Sequence, residues 1–166
     1  MTRSEFLRLL AASAAATMFG GHAAASLAAA PATMRTRPIP AGGSLPVIGL
    51  GTARVFDFAP GSEAYGRLAG VLQTLFAAGG SVIDSSPMYG RAEETTGEVL
   101  AAVGGRARAF VATKVWTRGR DEGLRQMNES LRLLRADPIE LMQVHNLVDW
   151  RTQLATLREW KAAGRI

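Results

Sequence analysis

The chain has 166 residues, of which 48% are hydrophobic and 20% are charged, and this composition is typical of a globular protein. It excludes a collagen-like, coiled-coil or wholly disordered chain, and the length fits one domain of ordinary size. Cysteine is absent, which excludes disulfides, thiolate metal sites and a cysteine nucleophile. The net charge of +5 comes from scattered arginines rather than from a basic cluster, so we expect no nucleic-acid partner.

Residues 1–30 have the layout of a signal peptide. A short charged start precedes an apolar, alanine-rich run at residues 9–19, and Ala23-Ala24-Ala25 fits a small-residue cleavage site. The run is shorter than the roughly 20 residues that span a membrane, so we expect no stable membrane anchor after cleavage.

The start of this segment also indicates an export route. Residues 2–8 resemble the twin-arginine export motif, with Ser4 in place of the second arginine. We therefore predict an exported protein of the bacterial periplasm. The alternatives are a disordered alanine-rich leader and an incorrectly assigned start codon.

The rest of the chain alternates between predicted strands and helices. Residues 31–46, rich in Pro, Gly and polar groups, predict an extended ribbon with a turn that links the leader to a domain at residues 47–166. Within that domain, short apolar runs predict strands and three- and four-residue apolar spacing predicts helices. The predicted strands are residues 47–50, 81–84, 110–114 and 139–145, the predicted helices are residues 64–77, 93–102, 121–135 and 152–163, and Ile166 is expected to begin a further strand.

Four strand–helix units in sequence predict an α/β fold with a parallel sheet covered by helices. A doubly wound sheet and a (β/α)8 barrel both fit this order of elements. A complete barrel has about 250 residues and eight units, so four units correspond to half of one.

Polar side chains occur at equivalent places along three of these units. Asp84, Lys114 and His145 each lie at the carboxyl end of a predicted strand, and Tyr89 follows Asp84 by five residues. Because the carboxyl ends of parallel strands meet at one edge, we expect these four side chains to converge.

Together the four side chains have the properties of a proton donor. A free tyrosine has a pKa near 10, and a nearby ammonium group favours the phenolate and strengthens the acid. Asp84 would hold Lys114 charged and in place, and His145 would orient a carbonyl oxygen beside the phenol. Such a site suits carbonyl reduction with hydride from a nicotinamide.

Each residue taken alone also has an ordinary structural interpretation. Asp84 fits a loop acid, Lys114 a solvated strand end, Tyr89 a packing residue with a wet hydroxyl, and His145 a structural histidine. Lys114 gains significance because Lys161 is the chain's other lysine, and arginine occupies every other basic position.

Four sequence motifs, in this order, resemble the aldo/keto reductase family. They are Gly49-Leu50-Gly51-Thr52, the segment 84–93 with Asp84 and Tyr89-Gly90, residues 113–116 around Lys114, and residues 130–141 leading to His145. The resemblance covers residues 35–166. It implies the N-terminal half of a (β/α)8 TIM barrel and NADPH-dependent reduction of an aldehyde or ketone to an alcohol.

The resemblance also implies a role for each site residue. Asp84, Tyr89, Lys114 and His145 would form the catalytic tetrad, with Tyr89 as general acid. Thr52 and Asp84 would lie beside the nicotinamide, while Trp116 and His145 would line the pocket for the carbonyl substrate, and no metal is expected. The chain departs from the family at Ala53, where an aromatic residue is frequent, and at Ala92, where serine is frequent.

In the family, the residues that hold most of the cofactor belong to the second half of the barrel, and the present sequence does not include that half. We therefore expect a truncated reductase that is inactive alone, with open edges on its first and fourth strands that favour self-association. The alternative is a non-enzymatic half-barrel that serves as an interaction or regulatory module.

Overall fold

The computed structural model describes residues 34–40 and 42–166, all within one unit, Ala32–Ile166. The predicted signal peptide at residues 1–30 lies outside the described residues. In the described part of the chain, no helix has the length and apolar character needed to cross a membrane.

A short hairpin precedes the main sheet, in the region where the sequence predicts an extended ribbon. Its strands, β1 (Thr36–Pro38) and β2 (Ser44–Pro46), pair antiparallel with Arg37 opposite Leu45. The N–H of Val47 then donates to the carbonyl of Arg35, which extends the pairing by one residue.

The main sheet consists of four parallel strands, each followed by a helix, as the sequence predicts. The strands lie in the order β3-β4-β5-β6, which is also their order along the chain. They are β3 (Leu50–Gly51), β4 (Val82–Asp84), β5 (Phe110–Val115) and β6 (Leu141–Val144), and the helices are α1 (Glu63–Ala77), α2 (Ala92–Ala102), α3 (Arg120–Leu134) and α4 (Trp150–Ala162). This arrangement confirms the α/β fold with four βα units.

The two faces of the main sheet differ in burial because side chains alternate along each strand. One face packs against the helices and contributes fully buried residues to the core, among them Ile83, Val111 and Val115. The opposite face carries Lys114 and Leu141, of which Leu141 is 43% exposed. The core therefore lies between the sheet and the helices, and the polar site residues lie on the other face.

The ends of two strands differ from the prediction. The first strand was expected at residues 47–50, but only Leu50 and Gly51 join the sheet, while Ile48 is 56% exposed. Val47 pairs with the hairpin instead, so its apolar character reflects a different neighbour.

The fourth strand was expected at residues 139–145, but the ladder begins at Leu141 and His145 opens a 3₁₀ turn. Ile139 is fully buried outside the ladder and its N–H donates to the carbonyl of Arg165. Ile166, expected to begin a further strand, belongs to no strand. An apolar residue thus identifies burial at these positions and not membership of the sheet.

The helices begin and end within two residues of the predicted bounds. Helix α1 starts at a side-chain cap, because the Ser62 hydroxyl accepts the N–H of Tyr65 at 3.2 Å. Helices α2 and α3 approach closely at Gly97, where a Cβ atom would overlap the carbonyl oxygen of Leu133. This contact requires glycine and holds α3 against α2, the helix that follows the loop carrying Tyr89.

Candidate active site

Strand register brings the first part of the site together. Lys114 on β5 is the register partner of Gln143 on β6, so both side chains lie on the same face of the sheet. The Lys114 ammonium donates to Asp84 Oδ2 at 2.6 Å, and Gln143 Nε2 donates to Asp84 Oδ1 at 3.1 Å. Both oxygens of Asp84 therefore accept hydrogen bonds, one from β5 and one from β6, which fixes the plane of the carboxylate.

Lys114 is held by a second acceptor as well. Its ammonium donates to the carbonyl oxygen of Ser85 at 2.8 Å, so two of its three N–H donors are directed by the end of β4. The side chain is only 12% exposed, compared with 37% for its partner Asp84. A cation held in this way stays at one position, and its nitrogen lies 5.2 Å from the centroid of the Tyr89 ring.

Tyr89 is positioned by the turn that enters helix α2. Its N–H donates to the carbonyl of Ser86 at 3.0 Å. The next residue, Gly90, has a φ of +60°, and the Asp57 carboxylate occupies the place where a Cβ atom would lie. Asp57 accepts the N–H of Arg91, the residue directly before α2, at 2.9 Å. The Tyr-Gly pair therefore allows this tight turn and directs the phenol towards the sheet edge.

His145 completes the set from the turn after β6. Its ring lies edge-on to the Tyr89 ring with centroids 5.7 Å apart, and the Ser86 hydroxyl is 2.8 Å from its Nδ1. Burial, together with the positive charge of Lys114, lowers the pKa of His145 below its ordinary value. The imidazole is therefore neutral near pH 7, with one nitrogen as hydrogen-bond donor and the other as acceptor.

Thr52 lies beneath this group and is fully buried. Its hydroxyl is 3.0 Å from the Asp84 carbonyl and 2.9 Å from the Ser85 hydroxyl, and its N–H donates to the same Asp84 carbonyl at 3.0 Å. Thr52 thus ties the end of β3 to the end of β4. Its predicted place beside a nicotinamide stays a prediction, and its polar groups are already engaged within the chain.

Trp116 lies at the rim of the site and is 39% exposed. Its ring centroid is 6.3 Å from that of His145. The Gln126 side chain on α3 accepts the backbone N–H of Trp116 at 2.5 Å and donates to its backbone carbonyl at 3.2 Å. These two hydrogen bonds anchor the backbone at Trp116. This location suits the predicted role as one wall of a substrate pocket.

Three polar residues around the site were not identified from the sequence. Gln143 could have been found, because it lies two residues before His145 and so shares a strand face with Asp84 and Lys114. Ser86 and Glu93 lie in the motif segment 84–93, but no sequence pattern indicated which side chains they contact. Glu93 lies in the first turn of α2, yet it is only 3% exposed.

Glu93 instead joins three elements behind the site. It accepts the Thr113 hydroxyl at 2.5 Å from β5 and the Ser130 hydroxyl at 3.2 Å from α3. Burial raises the pKa of its carboxyl group above the ordinary value, and the two hydroxyl donors oppose that shift. Since Thr113 directly precedes Lys114, this network fixes the strand that carries the site cation.

The structure thus brings Asp84, Tyr89, Lys114 and His145 to one edge of the sheet. An open cleft of about 320 Å³ adjoins Tyr89 and is lined by residues of the loops after β3 and β4, including Ala53 and Met88. Within the described residues, no three His, Cys, Asp or Glu side chains form a group that could hold a metal ion. The arrangement places a phenol, a fixed ammonium group and a neutral imidazole next to one another at this edge of the sheet.

Comparisons with known proteins identify the family of this chain. Residues 47–166 match the family model described as "Aldo/keto reductase family". A search of curated proteins found no match.

Several solved structures share the fold. A Pseudomonas aeruginosa protein assigned to the aldo-keto reductases is 24% identical with a TM-score of 0.71, over 84% of this chain and 61% of its own. A second Pseudomonas aeruginosa structure with that assignment is 28% identical with a TM-score of 0.68, over 79% and 56% of the two chains. An aldo-keto reductase from Klebsiella pneumoniae in complex with NADPH is 24% identical with a TM-score of 0.68, over 81% and 48%. The chain therefore has the fold of the N-terminal half of the (β/α)8 barrel and spans about half to three fifths of the length of these proteins.

Proposed function

The chain belongs to the aldo/keto reductase family, and we propose that it carries the proton-donating part of an NADPH-dependent reductase that converts an aldehyde or ketone to the alcohol. The observation that supports this most directly is the convergence of Tyr89, Lys114 and His145 at one edge of the sheet. The Lys114 nitrogen lies 5.2 Å from the Tyr89 ring centroid, and the His145 ring centroid lies 5.7 Å from it.

In the proposed reaction, the substrate carbonyl oxygen lies between the Tyr89 hydroxyl and the His145 ring. As hydride adds to the carbonyl carbon, negative charge develops on the oxygen, and Tyr89 gives that oxygen its phenolic proton. Lys114 stabilises the resulting phenolate with its positive charge, and Asp84 keeps the ammonium group in place. The C=O double bond becomes a C–O single bond, and solvent later returns a proton to Tyr89.

The donor set fits a nicotinamide cofactor in one specific way. The side chains at the site can supply a proton and charge stabilisation, but none of these groups can supply a hydride, which bound NADPH would provide. Asp84 would lie against the nicotinamide end, since its side chain is 37% exposed, and Thr52 would support it from below. The NADPH complex of the Klebsiella pneumoniae structure supports the choice of cofactor.

The four βα units of this chain correspond to about half of a barrel, so the proposal for these residues concerns only part of the cofactor site. We infer that further βα units, like those of the longer relatives, would hold the rest of the cofactor and raise turnover above the level that the present chain reaches by itself. The residues 1–30 that resemble an export signal support a periplasmic location for the protein.

A second function is favoured by the open edges of the sheet. Among the described residues, strands β3 and β6 each have a parallel neighbour on one side only, and Leu141 on β6 is 43% exposed. Such edges suit pairing with another chain, so a half-barrel that acts as a binding module without turnover is the alternative.

The two functions are separated by experiments on the full chain. NADPH binding is followed by fluorescence titration, and reduction is followed as loss of NADPH absorbance with benzaldehyde as the probe. Under the reductase proposal, Tyr89→Phe lowers turnover by about 10²–10⁴-fold, the contribution typical of a general acid, and leaves NADPH binding unchanged.

The chain offers matched controls for this test. Tyr65 is its other tyrosine and donates to Glu98 at 2.7 Å from helix α1, so Tyr65→Phe should retain activity. Lys114→Met removes the ammonium group beside Tyr89 and should also lower turnover. Lys161→Met is its matched control and should retain activity, because these are the two lysines of the sequence. Absence of both NADPH binding and turnover in the wild-type chain would reject the reductase proposal for this chain and favour the binding module.

A further inference from the structure

One contact at the site has no part in the proton transfer described above. The hydroxyl of Ser86, in the loop after β4, is 2.8 Å from Nδ1 of His145, in the turn after β6. Ser86 is fully buried, and the two residues are 59 positions apart in the chain. A buried polar contact between two separate loops restricts the rotation of the imidazole.

The second contact of the Ser86 hydroxyl indicates which atom donates in its hydrogen bond with His145. Its oxygen accepts the N–H of Met88 at 3.2 Å. In the described part of the chain, His145 Nδ1 is the one acceptor within reach of the Ser86 hydroxyl proton. If Nδ1 carried a proton instead, the buried hydroxyl hydrogen would have no acceptor, and unmade buried hydrogen bonds are costly.

We propose that Ser86 is a positioning residue that holds His145 in the tautomer with its proton on Nε2. The neutral ring accepts at Nδ1 from Ser86 and so presents Nε2–H as its remaining hydrogen-bond donor. The tautomer assignment depends only on the contacts of Ser86. Its use, donation from Nε2 to a substrate carbonyl oxygen between Tyr89 and Trp116, rests on the proposed function.

The surroundings of the ring are consistent with a neutral imidazole. The charged side chains that act on it are Lys114 and Asp84, with opposite effects, and Tyr89 and Trp116 present aromatic rings. Burial and Lys114 outweigh Asp84, so the ring is neutral and has a definite tautomer at pH 8.

Nuclear magnetic resonance of the imidazole nitrogens tests the proposal without any need for turnover. The chain has two histidines, so His22→Gln in the full chain leaves His145 as the single histidine signal after nitrogen-15 labelling. At pH 8 we expect Nδ1 to be unprotonated and Nε2 to carry the proton. Ser86→Ala should move the Nδ1 resonance downfield, since its lone pair loses a donor, and should make the Nδ1–H tautomer detectable.

Two further variants separate this effect from loss of structure. Ser86→Thr keeps the hydroxyl and should keep the wild-type spectrum. Ser85 is equally buried but bonds to Thr52, so Ser85→Ala should leave the His145 signals unchanged.

A protonated Nδ1 in the wild-type background would overturn the proposal, as would a Ser86→Ala spectrum identical to it. If Ser86→Ala does not fold, a Ser86→Thr spectrum that retains the Nε2–H pattern with the hydrogen-bonded Nδ1 shift supports the proposal, and one that loses them overturns it. The tautomer result stands when no reduction is observed, so failure of the proposed function is recognised separately.

Discussion

Replacing Glu93 with alanine should destabilise the fold far more than its position at a helix start suggests. The change leaves the hydroxyls of Thr113 and Ser130 buried without an acceptor. A hydrogen bond to a charged group contributes about 1.5–3 kcal/mol, and an unsatisfied buried donor costs about 1–3 kcal/mol. Because the carboxylate is itself costly to bury, we expect a net loss of about 2–4 kcal/mol from the free energy of unfolding.

Urea unfolding followed by circular dichroism measures this loss. With a slope of about 1–3 kcal/mol per molar urea, the midpoint should fall by about 1–2 M. Glu94 is the matched control, since it lies in the same helical turn and pairs with Arg91 at 2.7 Å on the surface. Exposed ion pairs contribute up to about 1 kcal/mol, so Glu94→Ala should shift the midpoint much less. Equal midpoints for the two variants would refute the role assigned to Glu93.

The same residue predicts a dependence on pH. Burial raises the pKa of Glu93 in the folded chain, so the folded state binds this proton more tightly than the unfolded state. The contribution is fully present below the ordinary carboxyl pKa and is lost as the pH rises through the raised value. Glu93→Gln has no such proton, so the stability of the wild type relative to this variant should be greatest near pH 4 and smaller at pH 7. A difference that is the same at both pH values would show that Glu93 does not change protonation.

Two other predictions concern helix packing and the sheet edge. Gly97→Ala should destabilise the fold by about 1–3 kcal/mol, because its Cβ would overlap the Leu133 carbonyl oxygen, whereas Gly66→Ala on α1 meets nothing within 4 Å and should stabilise by about 0.5–1 kcal/mol. Thermal melts of the two variants check this pair, and a stable Gly97→Ala would contradict the close helix contact. If the open edge of β6 drives self-association, light scattering should show oligomers whose mass depends on concentration, and Leu141→Lys should reduce them. A wild-type chain that is monomeric at every concentration would exclude that association.

The sequence was sufficient to predict the order of the strands and helices and the location of the four main site residues at one edge of the sheet. Apolar spacing found the helices to within two residues, because one buried stripe per helix is enough to define it. The shared strand-end positions of Asp84, Lys114 and His145 predicted their convergence, because parallel strands end at a common edge. The ends of β3 and β6 were less accurate, since Val47 and Ile139 are apolar for reasons other than sheet pairing.

The contacts that refine the site could not be derived in the same way. The Ser86–His145 hydrogen bond depends on how two loops lie against each other, and no local pattern encodes that distance. The burial of Glu93 depends on donors from β5 and α3, which are distant in sequence. Such contacts require the relative placement of whole elements, whereas strand-end positions require only the order of the chain.

The four converging side chains also share one uninterrupted stretch of the chain, from the end of β4 to the turn after β6. A genetic crossover on either side of that stretch would transmit all four as a single block. Recombination among related genes can therefore exchange the other units of a barrel while these four side chains are inherited together.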